Sequence, residues 1–291
     1  MVDPHLNDPS VPVPDETGSA AADSNAAQRE YWTAGSGARW VDRSDRYDGM
    51  LAPFLDRVVE EAGISAGELV LDVGCGTGPL ARTLAQAGAE VLGVDISSTM
   101  IGGAERMAVP GARYEVLDAQ TAPLAPVDVV ISRFGVMFFE DPVAAFANLA
   151  TTGGRLCFVC WRAAGDNQWV VEQTAAVMDV LGAVPTVDPL APGPFAFADR
   201  DRVAGILGEA GWRDVHIDPF DTSILVGGPS TLDDAADFAS SGPPVSRLID
   251  EESAEVKAAV RDAMHRRFAP HHDGDGVRLG AATWIVTARP S

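Results

Sequence analysis

With 291 residues, 46% of them hydrophobic, the chain is long enough to bury a full core and is expected to form one large domain with insertions. Its formal net charge of -21 argues against nucleic acid and against an anionic membrane surface as partners, because both bind basic protein surfaces. Three cysteines are too few for a disulfide framework and favour the cytoplasm. No segment is long and apolar enough to predict a membrane span.

The first residues of the chain differ in composition from the rest. Residues 1–27 are rich in Pro, Ala, Asp and Ser without hydrophobic periodicity, which predicts a disordered tail. From residue 28 onwards, Tyr31, Trp32 and Trp40 cluster around two glycines. These aromatic residues either pack on the core or belong to a lid over a ligand site, and the two interpretations are compatible. We therefore predict a single domain over 28–291 with an N-terminal lid at about 28–62.

Short apolar runs alternate with amphipathic segments in the next part of the chain. The predicted strands are residues 69–73, 90–96, 113–117, 127–132 and 155–161, followed by shorter runs at 215–217 and 282–288. Helices between them are marked by Pro79, by a Ser97 or Ser98 cap and by Asp141-Pro142. This alternation predicts right-handed βαβ units and an α/β fold with a doubly wound, mostly parallel seven-stranded sheet.

Two long segments interrupt the alternation. They cover residues 162–198 and about 226–280 and contain predicted helices. Connections of this length inside a compact domain are usually functional, so we expect helical insertions that cover the substrate. A purely structural role is the alternative. Cys157 and Cys160 lie three apart on a predicted strand and point to opposite faces, so no metal site is predicted there.

The sequence Asp-Val-Gly-Cys-Gly-Thr-Gly follows the first predicted strand. Gly74, Gly76 and Gly78 allow a sharp turn that brings the backbone close to a ligand, and a helix begins at Pro79. The third glycine comes one residue too early for a dinucleotide fingerprint, and no phosphate-binding Gly-Lys-Ser/Thr follows. The carboxylate of Asp72 would repel a pyrophosphate but suits a ligand that carries an ammonium group.

Acidic residues end three successive predicted strands. They are Asp72, Asp95 and Asp118, and the carboxyl ends of parallel strands form the ligand crevice of such a sheet. Asp95 can accept both ribose hydroxyls of an adenosine, and Ile96 can lie on the adenine face. Asp118 can accept from the exocyclic amine, while the Ala119 N–H donates to a ring nitrogen.

The segment Asp72–Gly78 resembles motif I of the class I S-adenosylmethionine-dependent methyltransferases, and the resemblance extends over roughly residues 28–161. It implies a Rossmann-like methyltransferase fold and S-adenosylmethionine as cofactor. Residues 132–141, with Gly153-Gly154-Arg155, resemble the ubiquinone/menaquinone-biosynthesis branch and its small-molecule relatives. The cofactor-binding residues that the resemblance and the strand ends imply are Asp72, Gly74, Cys75, Gly76, Gly78, Asp95, Ile96, Met100, Asp118, Ala119, Ser132, Arg133 and Phe134.

Methyl transfer from a sulfonium requires mainly alignment, and a general base only for acceptors that must lose a proton. The sequence offers no clear base. His271 and His272, in the loop before the last strand, could swing over the acceptor or form a solvated, mobile pair, and Arg133 is a further candidate. Candidate acceptor-pocket residues are Tyr31, Trp32, Trp40, Trp161, Asn167 and Trp169.

Three functional hypotheses follow from these features. The first is a methyltransferase that acts on an O, N or C atom of a small, partly apolar metabolite, without nucleic-acid or membrane partners. The second is a protein that binds S-adenosylmethionine or S-adenosylhomocysteine without methyl transfer. The third, a nicotinamide-dependent oxidoreductase, is disfavoured by the early third glycine. The acceptor and the oligomeric state are not predictable from these residues.

Overall fold

Seven strands form one sheet in a computed structural model that describes residues 25–185 and 188–291. The sheet order is β3-β2-β1-β4-β5-β7-β6. Strands β1 to β5 pair in parallel, whereas β7 runs antiparallel between β5 and β6. The strands are β1 Leu69–Val73, β2 Glu90–Asp95, β3 Ala112–Val116, β4 Val129–Arg133, β5 Arg155–Trp161, β6 Trp212–Leu225 and β7 Arg278–Pro290. The predicted doubly wound, mostly parallel sheet is confirmed.

Eleven α-helices are found in the described residues. The helices are α1 Ala26–Thr33, α2 Gly35–Asp42, α3 Ser44–Ala62, α4 Pro79–Gln86, α5 Ser98–Glu105, α6 Pro142–Ala150, α7 Gln168–Leu181, α8 Arg200–Glu209, α9 Leu232–Ser241, α10 Val245–Ile249 and α11 Ala254–Phe268. The strand order reverses between β1 and β4, so right-handed crossovers place α4 and α5 on one face of the sheet and α6 on the other. Such a reversal opens a crevice at the carboxyl ends of the strands.

Local signals explain where several of these helices begin and end. Ser97 caps α5 by accepting from the Met100 N–H at 3.2 Å, which decides between the two candidate serines. Asp141 caps α6 by accepting from the Ala144 N–H at 3.0 Å, with Pro142 at the first helical position. Gly63 ends α3 in the left-handed conformation.

The N-terminal segment is more regular than its composition suggests. Residues 1–24 of the predicted disordered tail lie outside the described residues. Asn25, however, is buried, and α1 begins at Ala26, so ordered chain starts before residue 28. The predicted lid contains α1 and α2 ahead of α3, and α1 and α2 contact α5.

The last two strands are much longer than predicted. β6 has 14 residues and β7 has 13, against predicted runs at 215–217 and 282–288. β6 is an edge strand with many exposed polar positions, and an edge strand accommodates Pro219. The predicted insertion at 162–198 contains α7. Residues 186 and 187 of this insertion lie outside the described residues. The later insertion contains α9, α10 and α11, and α11 packs against α7 and α9.

The two cysteines of β5 face opposite sides of the sheet, as predicted. The Cys157 thiol lies 3.8 Å from the Val58 carbonyl on α3, and the Cys160 thiol lies 3.9 Å from the Phe197 carbonyl. Nowhere in the described ranges do three His, Cys, Asp or Glu side chains form a group that could hold a metal ion. None of the described helices is long and apolar enough to cross a membrane.

Candidate functional site

The glycine turn after β1 has a left-handed backbone at each of its three glycines, and two of them also lack room for a side chain. Gly74, Gly76 and Gly78 all have positive φ, at 66°, 56° and 78°. A Cβ on Gly74 would lie 2.7 Å from the Cα of Gly135, and one on Gly78 would lie 2.6 Å from the ring of Tyr114. The turn therefore packs directly against the backbone that follows β4 and leads into the N-terminus of α4.

Asp95 at the end of β2 is tied to this turn. Its Oδ2 accepts from the Gly76 N–H at 3.0 Å, and its Oδ1 accepts from the Ser97 N–H at 2.9 Å. Burial raises the pKa of Asp95 to about 6. Each carboxylate oxygen has a second acceptor position, so two neighbouring hydroxyl groups of a ligand can still be bound.

Asp72 lies beneath the same turn and is 1% exposed. Burial raises its pKa to about 7, against the opposing effect of the Arg133 guanidinium. Its Oδ2 is buried and has no hydrogen-bond partner among residues 25–185 and 188–291. A buried carboxylate oxygen without a donor suits the ammonium group of a ligand.

A buried arginine provides the complementary charge. Nη2 of Arg133 donates to Oδ1 of Asp48 at 3.3 Å, whereas its buried Nη1 has no partner in the described chain. Oδ2 of Asp48 also accepts from Nη2 of Arg82 at 3.5 Å. Burial lowers the pKa of Arg133 and raises the pKa of Asp48. The pair formed by Asp72 Oδ2 and Arg133 Nη1 therefore offers one acceptor and one donor, the complement of a zwitterionic amino acid.

Asp118 follows β3 and is bonded to the N-terminal segment. Nδ2 of Asn25 donates to both oxygens of Asp118 at 3.0 Å, and Arg29 lies 3.8 Å from Oδ2. The Gln120 N–H donates to Oδ1 at 2.9 Å. Sequence reasoning missed Asn25 because it lies within the stretch predicted as a tail, and it missed Asp48 because nothing local marks its contact with Arg133.

The remaining cofactor candidates lie around this crevice. The Ser132 hydroxyl donates to the Val73 carbonyl at 2.7 Å and accepts from the Gly135 N–H at 3.1 Å, so it braces the β1 and β4 ends. Phe134 has a positive φ of 66° and stacks on Trp161. Cys75, Met100 and Ala119 are buried, and Ile96 lines a groove of about 320 Å³ between α1 and the ends of β2 and β3.

The structure separates the six acceptor-pocket candidates into two groups. Tyr31, Trp32 and Trp40 form one aromatic cluster, with edge contacts at 5.0 and 6.0 Å between ring centroids. Trp161, Asn167 and Trp169 instead belong to the core. Asn167 is 0% exposed and bonds to Ala163, Ala282 and Trp169, so its polar atoms are used within the protein.

The two candidate histidines lie apart from the three acids. His271 Nε2 is 3.9 Å from Glu172 on α7, and His272 Nδ1 accepts from the Gly274 N–H at 3.4 Å. Within the described residues, neither imidazole contacts Asp72, Asp95 or Asp118. Arg133 is charged and bound to Asp48, and a guanidinium does not act as a base.

Comparisons with known proteins show which sequences this chain resembles. Residues 70–152 match a family model described as a methyltransferase domain. An uncharacterized protein of Mycobacterium tuberculosis is 32% identical over 148 residues, covering 48% of this chain and 52% of that protein. A ubiquinone biosynthesis O-methyltransferase of Methylococcus capsulatus is 38% identical over 41% of this chain and 55% of its own length.

Similarity also extends to solved structures. Magnesium protoporphyrin IX methyltransferase from Synechocystis, with bound S-adenosylhomocysteine, superposes with a TM-score of 0.52 and 19% identity over 92% of this chain and 100% of that one. At this identity the likeness concerns the fold alone. The chain spans about half the length of the first curated relatives it matches. The matches therefore support a shared domain and do not identify the methyl acceptor. These matches identify residues 70–152 as a methyltransferase domain that contains the glycine turn after β1.

Proposed function

We propose that the chain transfers a methyl group from S-adenosylmethionine to an O, N or C atom of a small, partly apolar metabolite. The observation that carries this proposal is the convergence of the glycine turn, Asp95 and Asp72 at one crevice, where the Gly76 N–H binds Asp95 directly. S-adenosylmethionine has an adenosyl end and an amino-acid end. Its site therefore needs a binding group for each end, and the two groups must lie close together.

The amino-acid end of the cofactor fits the buried charges beneath the turn. Asp72 Oδ2 would hold the ammonium group and Arg133 Nη1 the carboxylate, since both atoms are buried and neither has a partner in the described part of the chain. Asp48 keeps Arg133 in place through its bond to Nη2. The adenosyl end would lie toward Asp95, Ile96 and Asp118, at the ends of β2 and β3.

The chain acts mainly by orientation. S-adenosylmethionine supplies a methyl group already activated by its sulfonium, so the protein must align the acceptor and exclude water. Neither candidate histidine contacts Asp72, Asp95 or Asp118 among the described residues, and the Arg133 guanidinium does not act as a base. Burial raises the pKa of nearby Tyr47 to about 12, so this phenol keeps its proton at neutral pH. We therefore expect acceptors that lose their proton to solvent or need not lose it.

An aromatic wall supports a partly apolar acceptor. Trp40 stacks on Tyr47 at 3.8 Å, Tyr47 contacts Phe238 of α9, and Trp32 meets Phe138 at 5.4 Å between ring centroids. This wall joins the N-terminal helices, the segment after β4 and the later insertion, which we propose as the substrate cover. The net charge of -21 favours small molecules over nucleic acid, and three free thiols favour the cytoplasm.

Calorimetry followed by product analysis tests this function. S-adenosylmethionine and S-adenosylhomocysteine should each bind at one site, and a panel of phenols, amines, carboxylates and quinone precursors should contain an acceptor that gains one methyl group by mass spectrometry. Failure of both cofactor forms to bind would refute the proposal. Tight binding with no methylated product across the panel would favour the second hypothesis, a cofactor-binding protein without methyl transfer.

A further inference from the structure

Asn25 occupies a buried position between the two loops that border the adenine end of the crevice. Its Nδ2 donates to both oxygens of Asp118, in the loop after β3, and its Oδ1 accepts from the Glu140 N–H at 3.0 Å, in the loop after β4. Asn25 is 3% exposed and stands at the N-cap of α1, yet its side chain makes no capping bond to that helix. Its amide is therefore committed to the two loops and not to the helix.

The bonds to Asp118 leave a defined acceptor position. An ionised carboxylate has about four acceptor sites. Within residues 25–185 and 188–291, Oδ1 receives the Asn25 amide and the Gln120 N–H, whereas Oδ2 receives only the Asn25 amide, with Arg29 beyond hydrogen-bond distance at 3.8 Å. The carboxylate is thus held in one orientation in which Oδ2 can still accept one further donor, such as an exocyclic amine.

A second amide lies on the same face of α1. Gln28 is three residues after Asn25 and four before Trp32, and this spacing places all three side chains on one side of the helix. The Trp32 ring meets Phe138 at 5.4 Å between ring centroids, so this face of α1 lies against Asp118 and the segment after β4. The Gln28 Oε1 is buried and meets no donor in the described ranges. A ligand donor would offset the cost of that buried acceptor.

We propose that α1 contributes two residues to recognition of the adenosyl group. Asn25 is a positioning residue that orients Asp118 for the adenine amine, and Gln28 accepts a hydrogen bond from the adenosyl group through Oε1. This inference rests on the proposed function, because it assumes that an adenosyl ligand fills the crevice. It makes the N-terminal segment part of the cofactor site and not only a cover for the acceptor.

The role of Asn25 is tested with two ligands that differ at one group. Binding of S-adenosylhomocysteine and of its 6-oxo analogue, S-inosylhomocysteine, is measured for the wild type, Asn25→Ala and the control Thr99→Val. Thr99 donates to the Thr33 carbonyl at 2.7 Å, so its replacement loosens the other end of α1 without touching Asp118. The wild type and Thr99→Val should prefer the amine by about tenfold or more, and Asn25→Ala by less than about threefold.

The outcomes separate this inference from the proposed function. A wild type that binds neither ligand refutes both. A wild type that binds the two ligands equally, or an Asn25→Ala variant that keeps the full preference, overturns the role of Asn25 while the methyltransferase proposal stands. If Asn25→Ala does not fold, Asn25→Leu provides the same readout, since it nearly keeps the shape, loses the donor and adds no charge beside Asp118.

The role of Gln28 has an independent signature in Gln28→Met. The replacement removes the unsatisfied acceptor while nearly keeping the volume, so the melting temperature of the free protein should stay the same or rise. Affinity for S-adenosylhomocysteine should fall by about tenfold, because the ligand loses an acceptor. A lower melting temperature with unchanged affinity would mean that Gln28 only supports the fold.

Discussion

The backbone N–H of Gly76 donates to Oδ2 of Asp95 at 3.0 Å, which joins the turn after β1 to the end of β2. The Ser97 N–H holds the other oxygen at 2.9 Å. The carboxylate is therefore oriented before any ligand binds, and each oxygen has one acceptor position left. Preorganisation of this kind reduces the entropy lost on binding.

Replacing Asp95 with Ala should weaken binding of S-adenosylhomocysteine by about a hundredfold or more. Two charge-assisted hydrogen bonds to ribose hydroxyls, each contributing about 1.5–3 kcal/mol, would be lost. Titration calorimetry measures the affinity. Asp128→Ala is a matched control, because exposed Asp128 accepts from the Leu69 N–H at 2.8 Å at the opposite end of β1. Equal losses of affinity in both variants would contradict a direct role of Asp95.

The central strands and the crevice were predictable because their signals are local. Runs of apolar residues ended by glycine or aspartate predict buried parallel strands, and the positive φ of Gly74 agrees with its place in the motif. Asn25 was not predictable, since its role depends on Asp118, 93 residues away. The contact between Asp48 and Arg133 joins residues 85 positions apart and was not predictable for the same reason. Pairings over such distances leave no periodic pattern in the sequence.

The aromatic residues show a second limit of sequence reasoning. An aromatic side chain beside a strand end can face a ligand or pack into the core, and the sequence does not distinguish the two. Trp161 is 4.3 Å from Phe134 in a stacked pair and 5.0 Å from Phe54 between ring centroids, so it belongs to the core cluster. Trp32 and Trp40 instead contact each other in the aromatic cluster of the N-terminal helices, which we propose as part of the cover.

The pKa of Asp72 predicts a pH-dependent stability. The folded state holds the proton with a pKa of about 7, whereas an unfolded aspartate has a pKa near 3.9, so the native state binds more protons between these values. Asp72 therefore lowers the free energy of unfolding as pH rises from about 4 to about 7, by on the order of 4 kcal/mol. Asp72→Asn should gain stability relative to the wild type over this window, as measured by urea unfolding at pH 5 and pH 8. A constant difference between the two proteins would contradict the raised pKa.

Arg133→Met, combined with Asp48→Asn, tests the proposed binding of the cofactor carboxylate. The second change removes the carboxylate that would otherwise lose its main partner, so that an unpaired Asp48 is not the cause of the effect. Affinity for S-adenosylhomocysteine should fall by about tenfold or more, because the variant lacks the Nη1 donor for the carboxylate of the ligand. Binding of 5′-methylthioadenosine, which lacks that end, should be unchanged. Equal losses for the two ligands would show that the pair acts through the fold.

Asn167→Ala should act on stability and leave cofactor binding intact. Asn167 accepts from the Ala282 N–H at 2.9 Å and from the Trp169 indole at 3.2 Å, and it donates to the Ala163 carbonyl at 3.1 Å. Its loss leaves several buried groups unsatisfied and should cost about 3 kcal/mol in urea unfolding. Neighbouring Gln168 accepts from the Gly280 N–H at 2.9 Å in a less buried place, so Gln168→Ala should cost only about 1 kcal/mol. A variant Asn167→Ala that is as stable as the wild type but has lost methyl transfer would contradict this structural role. Asn167 would then be assigned to the acceptor pocket, because its amide would contact the substrate and not hold the loop before α7.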